Sequence, residues 1–198
     1  MITKPSRFTT KYIKFNKPYG VLCAFTDPSG RPTLSDYIDI PEVYAAGRLD
    51  LDSEGLVFLT NDGTVNHRIT SPKYHLSKTY FVQVEGTPDN EAINQLKRGV
   101  LIKGNYQTKR CEAMIIPEPD LSERSKPVTP HGQTTWLRIV IREGKKRQIR
   151  QMTAAVGLPT LRLFRAAIGP IHLGNLQPGE WAYLENNELD FLKKELGL

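Results

Sequence analysis

Little in this chain points to disulfide bonds, a structural metal or a membrane. Its 198 residues include only two cysteines, Cys23 and Cys111, which lie far apart with no companion at metal-ligand spacing. This argues against a disulfide framework and a zinc site, and indicates a reducing cytoplasm. No segment approaches the roughly 18 to 20 consecutive apolar residues of a membrane helix. The basic N-terminus also lacks the apolar core of a secretory signal. We therefore expect a cytoplasmic protein with no membrane partner.

Positive charge is what the chain has in excess. It contains 27 Lys and Arg against 21 Asp and Glu, which gives a formal net charge of +6 and a pI near 9.3. Apolar residues make up 39% and charged residues 24%, a balance typical of a folded soluble protein. A basic excess in a small protein favours an anionic partner, of which nucleic acid is the commonest.

The hydropathy pattern predicts an α+β fold in which the strands form a largely antiparallel sheet. Alternating or apolar segments predict strands at 12–15, 21–25, 55–60, 79–86, 113–119, 136–144 and 181–184. Helical patterns predict a short helix over 34–38, a helix opened by Thr87 and Pro88 and stopped by Gly99, and helices over 147–156 and 188–195. The segment 121–135 is polar and is predicted to be an exposed loop. We expect a single domain, 1–198, with two subdomains over approximately 1–71 and 72–198.

The segment 45–56, AAGRLDLDSEGL, concentrates polar side chains between two glycines and then enters an apolar strand. It is compatible with an active-site loop and with a solvated turn whose charges pair with one another. A calcium loop beginning at Asp50 would place Gly55 at its sixth position, as required, but its twelfth is Asn61 instead of the bidentate glutamate. We therefore expect no metal at this segment.

Two further segments could contact RNA. In EGKKRQIRQM, residues 143–152, three basic residues stand where a strand leads into a helix, a position that favours phosphate. The alternative is a solvated basic turn. In HLSKTYFVQV, residues 75–84, Tyr80 begins a strand beside Lys78 and could either pack in the core or stack on a base.

These segments, in this order, resemble the pseudouridine synthase superfamily, and in particular the branch acting on bacterial ribosomal RNA. The resemblance runs from about residue 11 to residue 185 and rests on the segments 16–22, 47–63, 77–86, 143–157 and 161–174. It implies the catalytic fold of that family, a largely antiparallel mixed sheet with flanking helices and two subdomains around a central cleft. The opening strand leaves no room for a separate N-terminal RNA-binding module, which indicates the large-subunit ribosomal RNA pseudouridine synthase E subgroup. Ser53 departs from the threonine of many relatives, and Arg147 from the histidine of some.

The resemblance also assigns roles to individual residues. It implies that Asp50 is the nucleophile, that Arg48 displaces the target base, and that Tyr80 stacks on the uracil and accepts a proton. It further implies that Arg150 pairs with Asp50 and keeps it ionised. Pocket walls are expected from Ile149 and Leu161. Substrate or RNA contacts are expected from Arg48, Lys17, Lys78, Lys145, Lys146, Arg147, Arg162 and Arg165.

The expected activity is therefore the isomerisation of a specific uridine to pseudouridine in 23S ribosomal RNA, by a monomer that needs no metal and no cofactor. A target in small-subunit ribosomal RNA or in tRNA is an alternative. A non-catalytic RNA-binding or ribosome-assembly factor is another. The joint presence of Asp50, Tyr80 and Arg150 argues against the non-catalytic alternative, because a degenerate enzyme would be expected to lack at least one of them.

Overall fold

A computed structural model describes residues 9–198 and shows an α+β fold, as predicted. Its strands are β1 (Tyr12–Lys17), β2 (Tyr44–Ala45), β3 (Glu54–Thr60), β4 (Lys78–Glu85), β5 (Leu101–Ile102), β6 (Tyr106–Gln107), β7 (Glu112–Ile116), β8 (Thr134–Ile141), β9 (Thr160–Ile168), β10 (Ile171–His172) and β11 (Trp181–Tyr183). Its α-helices are α1 (Gly63–Thr70), α2 (Asn90–Arg98), α3 (Gln148–Ala155) and α4 (Asn186–Leu196). None of the helices within the described residues is long and apolar enough to cross a membrane.

One large sheet runs through the molecule in the order β11-β1-β3-β9-β4-β8-β7. The pairing of β3 with β9 is parallel, whereas the other neighbours along this path are antiparallel. The prediction of a largely antiparallel mixed sheet is thus confirmed. Because β9 lies between β3 and β4, it joins the strands built early in the chain to those built later.

The contact between β3 and β9 depends on a glycine. Gly55 pairs with Arg165 and has a positive φ of 99°. A Cβ added at this position would lie 2.8 Å from the backbone nitrogen of Arg165, which is closer than any side chain tolerates. Glycine therefore permits the two strands to approach each other at the point where β3 leaves the polar loop.

Strand β3 is buried on both faces, which explains why its sequence is almost continuously apolar. Val57 and Leu59 belong to a core formed with β1, β4, β8, α2 and α3. Leu56 and Phe58 point to the opposite side and pack in a second core with residues of α1 and α4. Strand β3, which follows the polar loop, is therefore held by packing on both of its faces.

Two of the predicted elements are wrong in kind or in position. Residues 21–25 form no strand, only a single bridge between Leu22 and Thr33. Here the carbonyl of Val21 accepts a hydrogen bond from the Lys17 ammonium (2.7 Å) in place of a ladder partner. Helix α2 begins at Asn90, not at Thr87, because the Asp89 carboxylate caps the backbone nitrogen of Ala92 (2.7 Å).

Helices α3 and α4 agree with the prediction to within two residues at each end, whereas α1 was not predicted. The C-terminal segment returns to the early part of the chain, because β11 pairs with β1 and α4 packs against α1. A boundary near residue 71 therefore stays a prediction. Any division into subdomains has to place β11 and α4 with the first of them.

Candidate active site

A cleft of about 630 Å³ opens where the polar loop before β3, the start of β4 and the β8–α3 connection meet. Its lining contains Arg48 and Asp50 of the loop, Tyr80 of β4 and Lys145 of the connection, together with Ile149 of α3 and Arg165 of β9. The volume lies in the range of pockets that hold a small organic ligand. The cleft thus brings together segments that are almost 120 residues apart in sequence.

The loop that carries Asp50 is held by backbone hydrogen bonds on both sides of that residue. The Leu51 carbonyl accepts from Gly20 (2.9 Å) and the Asp50 carbonyl accepts from Ser53 (3.1 Å). The backbone nitrogen of Leu49 donates to the buried Cys23 sulfur (3.3 Å). These contacts fix the backbone on either side of Asp50, whose half-buried carboxylate is presented to the cleft.

Tyr80 forms part of the opposite wall. It lies on β4, is 8% exposed, and faces Ile139 of β8 and Arg165 of β9 in the strand register. Lys78 precedes it by two residues, so both side chains project from the same face of the strand, and both line the cleft. The predicted nucleophile and the predicted stacking tyrosine therefore share one cavity.

The β8–α3 connection forms the basic rim of the cleft. It is anchored by Glu143, which is buried and accepts hydrogen bonds from the Tyr106 hydroxyl (2.6 Å) and the Lys109 backbone (2.9 Å). Lys145 and Lys146 follow and are exposed at the rim. The Lys145 ammonium lies 4.4 Å from the centre of the Tyr106 ring. A buried carboxylate thus supports a segment whose outer side is positive.

Asp52 binds two arginines, one predicted to contact RNA and one predicted to pair with Asp50. Arg147, which has a left-handed backbone with a φ of 52°, donates two hydrogen bonds of 2.9 Å to the Asp52 carboxylate. Arg150 donates to the Asp52 carbonyl (2.7 Å) and lies 3.4 Å from its carboxylate. Burial alone raises the pKa of Asp52, but the hydrogen bonds from Arg147 and the charge of Arg150 outweigh it, so the pKa lies below its usual value.

The predicted ion pair between Arg150 and Asp50 is therefore wrong for this structure. The arginine that comes nearest to Asp50 is Arg147, whose Nη1 lies 4.0 Å from Oδ2. The physical reason is the left-handed turn at Arg147, which directs that side chain across to the loop. Arg150 in turn binds the carbonyl of Asp52 and lies close to its carboxylate. Arg150 still lies beside the cleft and helps to position the loop through the carbonyl of Asp52.

Several predicted RNA contacts lie inside the protein. Lys17 is 0% exposed, and its ammonium donates to the carbonyls of Pro18 (2.8 Å) and Val21 (2.7 Å), so a direct contact with RNA is wrong. Its strand, β1, lies between two others, which explains the burial. Arg162 is bound by Glu54 through two hydrogen bonds of 3.0 and 2.8 Å. Arg165 is 3% exposed. Arg48, by contrast, is exposed at the cleft.

Two residues, Ile149 and Leu161, were predicted to form the apolar wall of the cleft, and the structure places one of them there. Ile149 lines the cleft, but Leu161 does not, and Leu163 takes its place. Leu161 lies at an irregularity in the pairing of β9 with β4, and residues two apart on a strand are separated by about 6.6 Å. Leu161 therefore lies one step too far along β9 to reach the cavity.

Sequence reasoning missed the roles of three residues. Asp52 stands out in the sequence only as part of a charged segment, and its spacing of two from Asp50 gives no sign of which carboxylate takes the arginines. Glu143 could have been suspected, because an acidic residue directly before a basic turn often stabilises it. Leu163 carries no signal that separates it from Leu161. Among residues 9–198, no three His, Cys, Asp or Glu side chains are placed to hold a metal ion.

The chain is similar to known proteins in sequence and in structure. The family model for RNA pseudouridylate synthase matches residues 11–155. The ribosomal large subunit pseudouridine synthase E of Vibrio parahaemolyticus is 50% identical over 177 residues, which cover 88% of this chain and 74% of that protein. The ribosomal small subunit pseudouridine synthase A of Escherichia coli is 37% identical over 183 residues, covering 90% and 72%. A crystal structure of a pseudouridylate synthase has a TM-score of 0.79 and 32% identity, covering 92% of this chain and 74% of that one.

The matched range contains the loop of Asp50, the strand of Tyr80 and the helix of Arg150. It covers well over half of the chain, and the similarity in sequence and in structure covers 88% and 92% of the chain. The chain belongs to the RNA pseudouridylate synthase family.

Proposed function

We propose that this chain converts one uridine of 23S ribosomal RNA to pseudouridine, with Asp50 as the nucleophile. The observation that carries the proposal is the cleft that Asp50 and Tyr80 both line, with exposed lysines at its rim. The large-subunit target is supported by the higher identity to the relative named for the large subunit, 50%, than to the one named for the small subunit, 37%.

Access to the target requires that the base leaves the RNA stack. Extruding a nucleotide costs a few kcal/mol, which contacts between protein and RNA have to offset. Arg48 is exposed at the cleft and is free to occupy the space that the base vacates. Lys145 and Lys146 are placed to bind backbone phosphates on either side of it. The extruded uracil then stacks on Tyr80 within the cleft.

The chemistry exchanges one glycosidic bond for another. The bond between C1′ and N1 breaks, the ring turns, and a bond forms between C1′ and C5, while the proton lost from C5 is balanced by one gained at N1. Asp50 acts at C1′, at the uracil ring, or by assisting the first cleavage, and all three roles require its ionised form. Tyr80 is the proposed acceptor of the C5 proton. The apolar side chains of Ile149 and Leu163 limit water beside the reacting atoms.

The first experiment maps pseudouridines in ribosomal RNA and tRNA from cells that lack this protein. We expect one position of 23S ribosomal RNA to lose its modification. The wild-type protein should restore it, and so should Asp190→Asn, a matched control on an exposed face of α4. Asp50→Asn should not restore it. If the missing position lies in small-subunit ribosomal RNA or tRNA, the target is wrong. If every position is retained, a non-catalytic factor becomes the better explanation.

The purified protein gives a second, independent measurement. Asp50→Asn should bind a 23S fragment with nearly the affinity of the wild type, because it keeps its shape and the basic rim. Its single-turnover rate should fall by at least about a thousandfold, as expected when a nucleophile is removed. A variant that retained more than a tenth of the wild-type rate would remove Asp50 from the reaction.

A further inference from the structure

Two cations in the cleft have no carboxylate to balance them. Arg165 is 3% exposed, and its Nε donates to the Leu56 carbonyl (2.7 Å), while its Nη2 is enclosed without a partner. Lys78 is partly buried, and its ammonium donates only to the Leu76 carbonyl (3.1 Å). Within residues 9–198, no carboxylate oxygen lies within 4.0 Å of either group. Burying an unpaired charge is costly, so such a pair calls for an explanation.

The other enclosed cations near the loop are compensated. Arg162 is paired with Glu54, and Arg150 lies against Asp52. Lys17 is held by two backbone carbonyls and does not line the cavity. Only Arg165 and Lys78, among these described residues, combine burial with an open cleft and a missing negative charge. The missing charge therefore belongs to whatever enters the cleft.

Both cations are adjacent to the surface on which the base is proposed to stack. Arg165 is the register partner of Tyr80 across β4 and β9, and directly opposed side chains have Cβ atoms about 4.5–5.5 Å apart. Lys78 lies two residues before Tyr80 on the same face of β4. Both residues are thus neighbours of Tyr80 in the sheet and line the same cleft, whereas the exposed lysines that suit phosphates lie at the rim. The position favours contact with the base over contact with the RNA backbone.

We infer that Arg165 and Lys78 stabilise the negative charge that the uracil ring carries once its bond to C1′ has broken. The inference rests on the proposed function. When the C1′–N1 bond breaks, its electron pair stays with the ring and spreads over N1, O2 and O4. The two cations attract that charge and also hold the detached base while it turns. When C5 bonds to C1′, C5 releases its proton and N1 takes one up, so the ring becomes neutral and no oxidant or reductant is needed.

Such cations stabilise the reaction after cleavage more than they stabilise the bound substrate, whose uracil is neutral. Lys78→Met and Arg165→Ala should therefore slow the single turnover of a saturating 23S fragment by about a hundredfold each. The dissociation constant for that RNA should stay within about twofold of the wild-type value, and its salt dependence should not change. Lys97→Met, on the exposed side of α2, is the matched control.

A change of leaving group gives the sharpest readout. Fluorine at C5 withdraws electrons and stabilises the negative ring by itself, so RNA with 5-fluorouridine at the target position needs less help. We expect the defect of each variant in the rate of glycosidic cleavage to shrink about tenfold or more with this RNA. Equal defects with uridine and 5-fluorouridine would overturn the inference, as would a loss of affinity with a smaller salt slope, which indicates a phosphate contact.

Chemical rescue separates this role from a merely structural one. Millimolar guanidinium should restore part of the rate of Arg165→Ala, whereas an equal concentration of sodium should not. Because guanidinium favours unfolding, rescue cannot come from restored folding. If Arg165→Ala does not fold, Lys78→Met alone decides the question, since it removes an unpaired charge and keeps the length of the side chain. An inactive wild-type protein would instead contradict the proposed function, so the two failures are distinguishable.

Discussion

Two buried lysines should make the free energy of unfolding depend on pH in the alkaline range. Burial, and then the charge of Arg165, lower the pKa of Lys78 to about 8. Burial also lowers that of Lys17 to about 8. In the unfolded chain a lysine keeps its proton up to about pH 10.4, so between about 8 and 10.4 the unfolded state binds more protons than the folded one. The two lysines should therefore increase stability with pH over this window, while the Cys111 thiol, whose pKa burial raises to about 11, opposes them above about pH 8.5.

The free energy of unfolding, measured by urea titration at several pH values, tests this expectation. Each lysine should add a slope of at most about 1.4 kcal/mol per pH unit within the window. Lys78→Met should be more stable than the wild type at pH 7 and should lose its share of the slope. A wild-type stability that stayed level or fell between pH 8 and 10 would contradict the lowered pKa values.

Asp52 should contribute stability through the opposite titration. Its carboxylate binds Arg147 and Arg150, and its pKa lies below the usual value, so the contribution is complete above about pH 4 and is lost as the pH falls through the folded value. Asp52→Asn should lower the free energy of unfolding by about 1 kcal/mol at pH 7, because the pair is partly exposed. The difference from the wild type should shrink below pH 4. Asp190→Asn, on an exposed face of α4, serves as the control.

At the scale of elements, the crossing of β3 and β9 is the least tolerant contact. Gly55→Ala places a methyl group against the backbone of Arg165 and forces a positive φ on alanine. We expect it to lower the free energy of unfolding by about 2 kcal/mol or more. Gly63→Ala, in α1 with open space around its Cα and no positive φ, should be neutral or slightly stabilising. Equal effects of the two substitutions would show that the strands separate freely.

Some elements of the fold could be predicted from local sequence patterns, and others could not. The alternation in β8, the apolar run of β3 and the stripe of α3 are local patterns, so they were predictable. The parallel pairing of β3 with β9 is not, because its partners are over 100 residues apart and leave no local trace. The absence of the predicted strand at 21–25 depends on the Lys17 ammonium, which binds the Val21 carbonyl. The pairing of the arginines with Asp52 instead of Asp50 depends on one residue with a left-handed backbone, Arg147. Such contacts appear only when the chain is folded.

For the whole molecule, the effect of the net charge of +6 on RNA binding should depend on where the basic residues lie. Replacing both Lys145 and Lys146 by alanine should weaken RNA binding at low salt and reduce the salt slope by roughly 1 for each phosphate that the variant no longer binds. The rate at saturating RNA should change little, because neither side chain reaches the stacked base. Lys97→Ala, which removes a charge away from the cleft, should leave the slope unchanged. A double variant with the wild-type slope would remove the rim from the RNA surface.

The position of β9 has a consequence for the synthesis of the chain. Strands β3 and β4 are made first, yet in the sheet they are separated by β9, which the ribosome adds more than 70 residues after β4 ends. Until then each has an unpaired edge, and the loop of Asp50 has no fixed distance from Tyr80. Insertion of β9 closes both edges and brings its arginine into the cleft in one step. We therefore expect the growing chain to be inactive until β9 has been synthesised and has inserted between β3 and β4.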